Sequence, residues 1–213
     1  MRLRISTTVL TMLFCIAIKA QEIPGELRIG LSAGLEKNVS SERMAFSQYT
    51  GFLADYDRLN YRFGLNISYL LKSNWAMNAA VNYSNKDFTG TYFCDVCDFA
   101  VFPSPEKVDF RFIEVPITLK YYFTPHKIRV FGEAGLNNLF PLTNLDYEAK
   151  SNSFVAGFKL GVGVVYNLSQ NTALELGLNY SNSISKLFKD SYYDDPYFML
   201  RSLNFGIVIL RKI

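Results

Sequence analysis

The sequence predicts an all-β protein, an eight-stranded antiparallel up-and-down transmembrane β-barrel. Apolar residues alternate with polar residues or glycine in about eight runs, as in Leu65, Ile67 and Tyr69. Charged residues and glycines share the opposite face of these runs, and tight turns alternate with long connections. In a closed barrel the two faces become opposite walls, and an apolar outer wall is stable only against lipid.

The bulk composition agrees with a folded chain that crosses a membrane with strands. The 213 residues are 49% hydrophobic and 15% aromatic, which is ample for burial and excludes a disordered chain. No stretch after the N-terminus reaches the roughly 18 apolar residues of a membrane-spanning helix. Any span must therefore consist of strands.

The first element is a predicted secretory signal peptide over residues 1–20. Two arginines precede an apolar segment over 9–18, and Ala20 is a small residue at a suitable cleavage point. An uncleaved anchor helix is the alternative, but the apolar segment is too short and ends at Lys19. The mature domain is then predicted over residues 21–213.

Removal of the signal changes the charge and the cysteine count. It takes Arg2, Arg4 and Lys19 from the 22 basic residues and leaves 19, equal to the 19 acidic ones. A neutral chain gives no support to nucleic-acid binding. Only Cys94 and Cys97 remain, an even number that suits an oxidising compartment.

Eight strands follow, most of them long enough to cross a bilayer at a tilt. A tilted membrane strand needs about 9–11 residues, whereas strands of soluble proteins usually have five or six. The period of two predicts strands over residues 26–36, 59–70, 75–85, 110–123, 128–136, 153–167, 172–183 and 199–213.

The connections between these strands alternate between short and long. Residues 71–74, 124–127 and 168–171 are tight polar turns. Four much longer connections cover residues 37–58, 86–109, 137–152 and 184–198. Outer-membrane barrels have short turns at the periplasmic end and long loops outside the cell. We therefore expect both termini at the periplasmic end.

The face opposite the apolar set predicts a polar lumen. A soluble barrel with an apolar interior is the alternative, but the large apolar side chains would overfill eight strands, whereas the glycines of the other face suit a narrow lumen. Buried charges must pair, because an isolated one costs several kcal/mol. The predicted network contains Arg62, Glu114, Lys120, Arg129, Glu133, Lys159 and Glu175. It acts either as a structural plug or as a gated ion path.

Aromatic residues at the strand ends predict two girdles at the membrane surfaces. Amphipathic rings favour the headgroup boundary, although ordinary core aromatics are the alternative. The periplasmic girdle is predicted to contain Tyr69, Trp75, Tyr121, Phe123 and Tyr166. The outer girdle is predicted to contain Tyr61, Tyr83, Phe154 and Tyr180.

The residues that carry most chemistry in other proteins are few. The single histidine, His126, lies in a tight turn at the periplasmic end, where a lipid deacylase would not need it. Cys94 and Cys97 form a CxxC without further zinc ligands, so we prefer a small loop disulfide over a free dithiol or partial metal site. We expect no enzyme activity, no cofactor and no metal.

The long loops carry aromatic and acidic residues. The first two loops contain Phe46, Tyr49, Phe52, Tyr56, Phe88, Tyr92, Phe93, Phe99 and Phe102. These rings either cap the barrel or form a binding surface. Acidic residues at 190, 194 and 195 form a solvated loop or, less commonly, a site for a hard cation.

Three segments of the middle strands resemble a known family. They are FIEVPITLKYYF at 112–123, VFGEAGL at 130–136 and GFKLGVGVVYNL at 157–168. They resemble the PorT-like outer-membrane β-barrel family of Gram-negative bacteria. The resemblance implies an eight-stranded outer-membrane barrel and a link to type IX secretion. One departure is the C-terminus, which ends at Ile213 instead of on the aromatic residue common in outer-membrane barrels.

The sequence thus predicts a small outer-membrane barrel with a structural or interaction role, in contact with outer-membrane lipid. Its partners would be envelope or secretion proteins that bind the long loops or the periplasmic turns, and not nucleic acid. A narrow pore for small solutes or ions is the first alternative. A lipid-modifying enzyme is the second. Fold and location follow from such a resemblance more securely than function does.

Overall fold

The computed structural model describes residues 24–45, 49–98, 103–124, 127–143, 151–187 and 199–213. Within them the chain forms twelve strands and no helix. They are β1 (Leu27–Asn38), β2 (Arg43–Ala45), β3 (Thr50–Asp55), β4 (Asn60–Lys72), β5 (Trp75–Asn85), β6 (Phe88–Cys94), β7 (Glu106–Val108), β8 (Arg111–Tyr122), β9 (Ile128–Pro141), β10 (Val155–Asn167), β11 (Thr172–Ser183) and β12 (Arg201–Lys212). None of the described residues belongs to a helix that is long and apolar enough to span a membrane.

Eight of the strands close into an antiparallel barrel in the order β1-β12-β11-β10-β9-β8-β5-β4. Each barrel strand pairs with the next one along the chain, and β12 closes the ring on β1, with Leu210 opposite Gly30. The predicted fold is therefore confirmed. The predicted β9 segment ended at residue 136, whereas the strand runs to Pro141.

The walls of the barrel follow the predicted alternation. On β10, Lys159 faces the lumen and is 9% exposed, whereas Leu160 and Val162 face outwards and are 49% and 59% exposed. Leu31 on β1 and Leu65 on β4 are 67% and 57% exposed on the same outer wall. An apolar outer surface around a polar lumen is the arrangement of a barrel in lipid.

A second sheet of four strands, ordered β2-β3-β6-β7, lies in the first two long connections. These residues were predicted as loops, so this part of the prediction was wrong. The sheet forms between separate loops, because Phe52 on β3 pairs with Tyr92 on β6. Its strands have only three to seven residues, and such short segments carry little periodicity.

Two apolar clusters lie at opposite ends of the barrel. We call the cluster near the long loops the outer cluster; it joins the small sheet to the barrel wall and contains Met44, Phe52, Ala54, Phe88, Val108, Phe110, Phe112, Leu139, Val155, Leu187 and Leu200. We call the cluster near the tight turns the inner cluster; it contains Leu70, Ala76, Tyr122, Phe131, Val165, Ala173 and Leu210. The polar lumen lies between them.

Candidate functional site

The lumen holds charged residues in three groups, and the group nearest the long loops is the largest. Lys86, just after β5, lies 2.8 Å from Oε1 of Glu114 on β8 and also pairs with Glu36 on β1. Arg62 on β4 lies 3.7 Å from the other oxygen of Glu114. Ser84 donates a hydrogen bond of 3.0 Å to Glu36. Two cations and two carboxylates therefore balance within this group.

The middle group is an ion pair between neighbouring strands. Lys159 on β10 lies 2.7 Å from Oε1 of Glu133 on β9. The hydroxyl of Thr118 on β8 donates a hydrogen bond of 3.1 Å to the other oxygen of Glu133. Both carboxylate oxygens therefore have a partner, as a buried charge requires.

The third group lies next to the inner cluster. Lys120 on β8 reaches across the lumen to Glu175 on β11, with N–O distances of 2.6 and 2.7 Å. The Lys120 ammonium also lies 4.1 Å from the centre of the Phe131 ring. Arg129 stacks on Tyr122, with its guanidinium carbon 4.0 Å from the ring centre. The attraction between a cation and the face of an aromatic ring is strongest where water is excluded.

The structure places all seven predicted lumen residues inside the barrel, in separate groups and not in one network. The prediction missed Glu36 and Lys86, which are each 1% exposed. Glu36 is an even number of residues from Gly30 and Gly34, and Lys86 is an even number from Asn82 and Ser84. Residues spaced by two lie on the same face of a strand, so the alternation could have placed both side chains in the lumen.

Glycines make room for these long side chains. A Cβ atom added at Gly161 would lie 2.9 Å from Cγ of Glu133, and one at Gly163 would lie 2.5 Å from Cζ of Phe131. Real Cβ atoms do not approach other atoms this closely. The glycine wall of β10 therefore receives side chains that project from β9.

A cavity of about 50 Å³ lies in the middle of the lumen. Its lining includes Arg62, Lys159 and Lys120 together with Asn66 and Asn78. The side-chain nitrogens of both asparagines are buried and have no hydrogen-bond partner within the described structure. A polar space of this size holds a few water molecules, since one water needs about 10–15 Å³.

A further group of charges closes the seam between the first and last strands at the rim beside the tight turns. Glu26, just before β1, accepts hydrogen bonds of 2.6 Å from Arg28 and 3.0 Å from Lys212 on β12. Burial raises the pKa of the Glu26 carboxyl, but these hydrogen bonds outweigh burial and hold the pKa below its ordinary value. The group therefore stays ionised and links the first strand of the barrel to the last.

The five residues of the predicted periplasmic girdle lie on the outer wall near the tight turns. Their ring contacts include Trp75 with Tyr121 at 4.8 Å and Tyr121 with Phe123 at 5.2 Å between centroids. Towards the long loops, Tyr61 lies 6.3 Å from Tyr83. The girdle role itself stays a prediction.

Cys94 and Cys97 form a disulfide at the end of β6, with their Cα atoms 5.3 Å apart. Within the described part of the chain, no group of three or more His, Cys, Asp or Glu residues is arranged to hold a metal ion. His126, the acidic residues at 190, 194 and 195, and the predicted signal peptide lie outside the described residues.

Comparison with solved structures gives several outer-membrane proteins with the same fold. OprG from Pseudomonas aeruginosa has a TM-score of 0.60 at 13% identity, with 89% of this chain and 96% of that chain covered. Neisserial surface protein A has a TM-score of 0.54 at 17% identity, with 88% and 97% covered. Ail of Yersinia pestis, in complex with the heparin analogue sucrose octasulfate, has a TM-score of 0.52 at 14% identity, with 90% and 100% covered.

The family comparison extends over nearly the whole chain. No curated protein matches it significantly. The model of the family described as "Outer membrane protein beta-barrel domain" matches residues 6–207. Together with the closed eight-stranded barrel and its apolar outer wall, this match shows that the chain belongs to the outer-membrane β-barrel domain family.

Proposed function

We propose that this protein is a closed, non-catalytic barrel that anchors its extracellular sheet in the outer membrane for interaction with other envelope components. The observation that carries this proposal is the filling of the lumen. Apolar clusters occupy both ends of the barrel, and paired charges occupy the space between them.

The outer cluster supports closure at the extracellular end. Phe112 on β8, Leu139 on β9 and Val155 on β10 point into the lumen and are at most 3% exposed. Met44 and Phe52 of the small sheet pack in the same cluster. An open path through this end requires the sheet to separate from the barrel wall, which would expose these side chains to water.

The inner cluster supports closure at the periplasmic end. Phe131 and Tyr122 meet edge to face with ring centroids 6.3 Å apart. Leu70 from β4 and Leu210 from β12 complete the cluster from the opposite wall. A hydrated ion would have to displace these apolar side chains before it reached the Lys120–Glu175 pair.

Single-channel recording in planar bilayers tests this closure. We expect the purified protein to give no steady open current at moderate voltage. A variant with Phe131→Ala and Leu210→Ala at the periplasmic end, checked for folding, should raise the frequency of brief currents. Steady open currents from the unmodified protein would show that the lumen is a pore for ions or small solutes.

The extracellular sheet supports the interaction role. Leu53 on β3 is 50% exposed and Val96 beyond β6 is 67% exposed, on a part of the chain that lies outside the membrane strands. Arg43 stacks on Phe93 at 4.4 Å and pairs with Asp95 at 2.8 Å, which orders this surface. Exposed loops on a rigid scaffold are common binding sites.

We further propose that the partner is an envelope protein, with type IX secretion components as the first candidates because of the PorT-like segments. A photoreactive residue at Leu53 should cross-link to a discrete protein in native outer membranes. The same residue at Leu65 on the lipid-facing wall is the matched control and should give no such product. Recovery of the Leu53 variant without any cross-linked protein would argue against this role.

A further inference from the structure

We propose that the outer wall carries a binding site for one anionic phospholipid of the periplasmic leaflet. An apolar groove over β9, flanked by β8 and β10, would hold its acyl chains, and Lys72 and Lys127 would contact its phosphate. This proposal concerns the lipid-facing wall and is independent of whether the lumen conducts.

The groove has a volume of about 710 Å³ and begins beside the tight turns. Its floor is formed by Gly132 and Ala134 on β9, two small residues in succession on a wall that carries mostly large apolar side chains. Tyr121 and Phe123 form one side of the groove, and Val162 lies on the other side. A hydrocarbon chain placed there would contact three strands instead of lying on a convex surface.

An aromatic corner closes the periplasmic end of this groove. Trp75 and Phe123 both contact Tyr121, with ring centroids 4.8 and 5.2 Å away. Trp75 is 39% exposed and Phe123 is 61% exposed, so both rings remain available to lipid. Aromatic rings at the headgroup boundary favour the glycerol region of a phospholipid.

Two exposed lysines lie on either side of the corner. Lys72 at the end of β4 is directly opposite Trp75 in the strand pairing. Lys127 follows the next turn, and its ammonium lies 5.1 Å from the ring centre of Tyr166 on the outer wall. Both lysines therefore lie at the end of the barrel that carries the tight turns and the aromatic corner.

Charge complementarity favours an anionic headgroup. Among the described residues of the tight turns and the strand ends beside them, the only carboxylate side chain is that of Glu26. It forms ion pairs with Arg28 and Lys212. The lysines near the groove thus face lipid without a competing acidic side chain. Each basic residue near an anionic membrane surface strengthens binding by about fivefold.

Quenching of Trp75 fluorescence tests the site, because Trp75 is the only tryptophan of the chain. The protein is inserted into phosphatidylcholine vesicles that contain brominated phosphatidylglycerol or, separately, brominated phosphatidylcholine. We expect phosphatidylglycerol to bind beside Trp75 about fivefold or more in preference to phosphatidylcholine. The preference should fall at high salt, which screens exposed charges.

Three variants separate headgroup from groove, each checked first for the folded barrel. Lys72→Gln with Lys127→Gln should reduce the preference to about one, whereas Lys107→Gln on the extracellular side should leave it unchanged. Ala134→Leu fills the groove and should also reduce the preference, whereas Ala33→Leu on the outer wall of β1 should not.

The outcomes decide the proposal in either direction. Equal quenching by the two lipids in the unmodified protein would overturn it. So would a preference that survives in the double lysine variant, or one that Ala134→Leu leaves intact.

Discussion

Lys120 and Glu175 form a bidentate ion pair across the lumen, with the ammonium nitrogen 2.7 and 2.6 Å from the two carboxylate oxygens. The two residues come from β8 and β11, which are not neighbours in the barrel, and are 2% and 8% exposed. The pair therefore fixes the distance between opposite walls.

Removal of one member of this pair should strongly destabilise the barrel. Lys120→Met leaves Glu175 buried without its cation and should lower the free energy of unfolding by about 3–5 kcal/mol. Lys120→Met combined with Glu175→Leu should recover most of the loss, because an apolar pair of similar volume has no charge to desolvate. Urea unfolding in lipid vesicles, followed by Trp75 fluorescence, measures the change.

The exposed pair of Lys107 and Asp109, 3.3 Å apart, is the matched control. Lys107→Met should change the free energy of unfolding by less than about 1 kcal/mol, since water screens this pair. A double variant at Lys120 and Glu175 that is no more stable than Lys120→Met would contradict the prediction.

A second prediction concerns two glycines that lie directly opposite each other, Gly163 on β10 and Gly177 on β11. Gly163→Ala places a methyl group 2.3 Å from the backbone carbonyl oxygen of Leu176 and 2.5 Å from the Phe131 ring, so we expect a loss of about 1–3 kcal/mol from overpacking. Gly177→Ala meets its nearest atom at 3.6 Å and should be tolerated. Equal urea midpoints for both variants would show that the β11 backbone at Leu176 and the Phe131 ring both move to make room, and would contradict the prediction.

The sequence was informative wherever the strand alternation separated a polar lumen from an apolar wall. The prediction of strand ends failed where the side chains that face the lumen are themselves apolar. Leu139 on β9 faces inwards but is buried in the outer cluster, 3% exposed, so the amphipathic pattern stops before the strand does. This reversal explains why the predicted segment ended at residue 136.

The small sheet could not be predicted from the sequence, for a related reason. Its pairing of Phe52 with Tyr92 joins two loops that β4 and β5 separate, and no local pattern specifies such a contact. Lys86 was missed because it lies one residue beyond β5, where the prediction had already changed from strand to loop. The side-chain parity continued past the end of the strand.

A third prediction concerns the pH dependence of the seam between β1 and β12. Since the pKa of Glu26 is below its ordinary value near 4.5, the ionised group stabilises the folded state above that pH. This contribution is lost as the pH falls through the lower, folded-state pKa. Glu26→Gln should therefore destabilise the barrel at pH 7, and the difference from the unmodified protein should shrink below about pH 4.5.

Urea midpoints at pH 7, 5 and 3.5 measure this difference. Asp109→Asn, at an exposed carboxylate near the long loops, is the control and should give a small difference at every pH. A Glu26→Gln penalty that stays constant down to pH 3.5 would show that shape, and not charge, matters at this position.

The last prediction concerns the disulfide of Cys94 and Cys97, which closes a very short loop. The chain-entropy contribution for such a loop is about 2 kcal/mol, and Tyr49 also holds this segment by accepting a 2.8 Å hydrogen bond from the Asp95 amide. Alkylation of the mature protein should label no cysteine before reduction and two afterwards. Reduction should increase protease cleavage near Asp95 but leave the urea midpoint of the barrel nearly unchanged, because the ion pairs of the lumen lie elsewhere. Cooperative unfolding of the barrel on reduction would instead mean that the small sheet and the barrel form one folding unit.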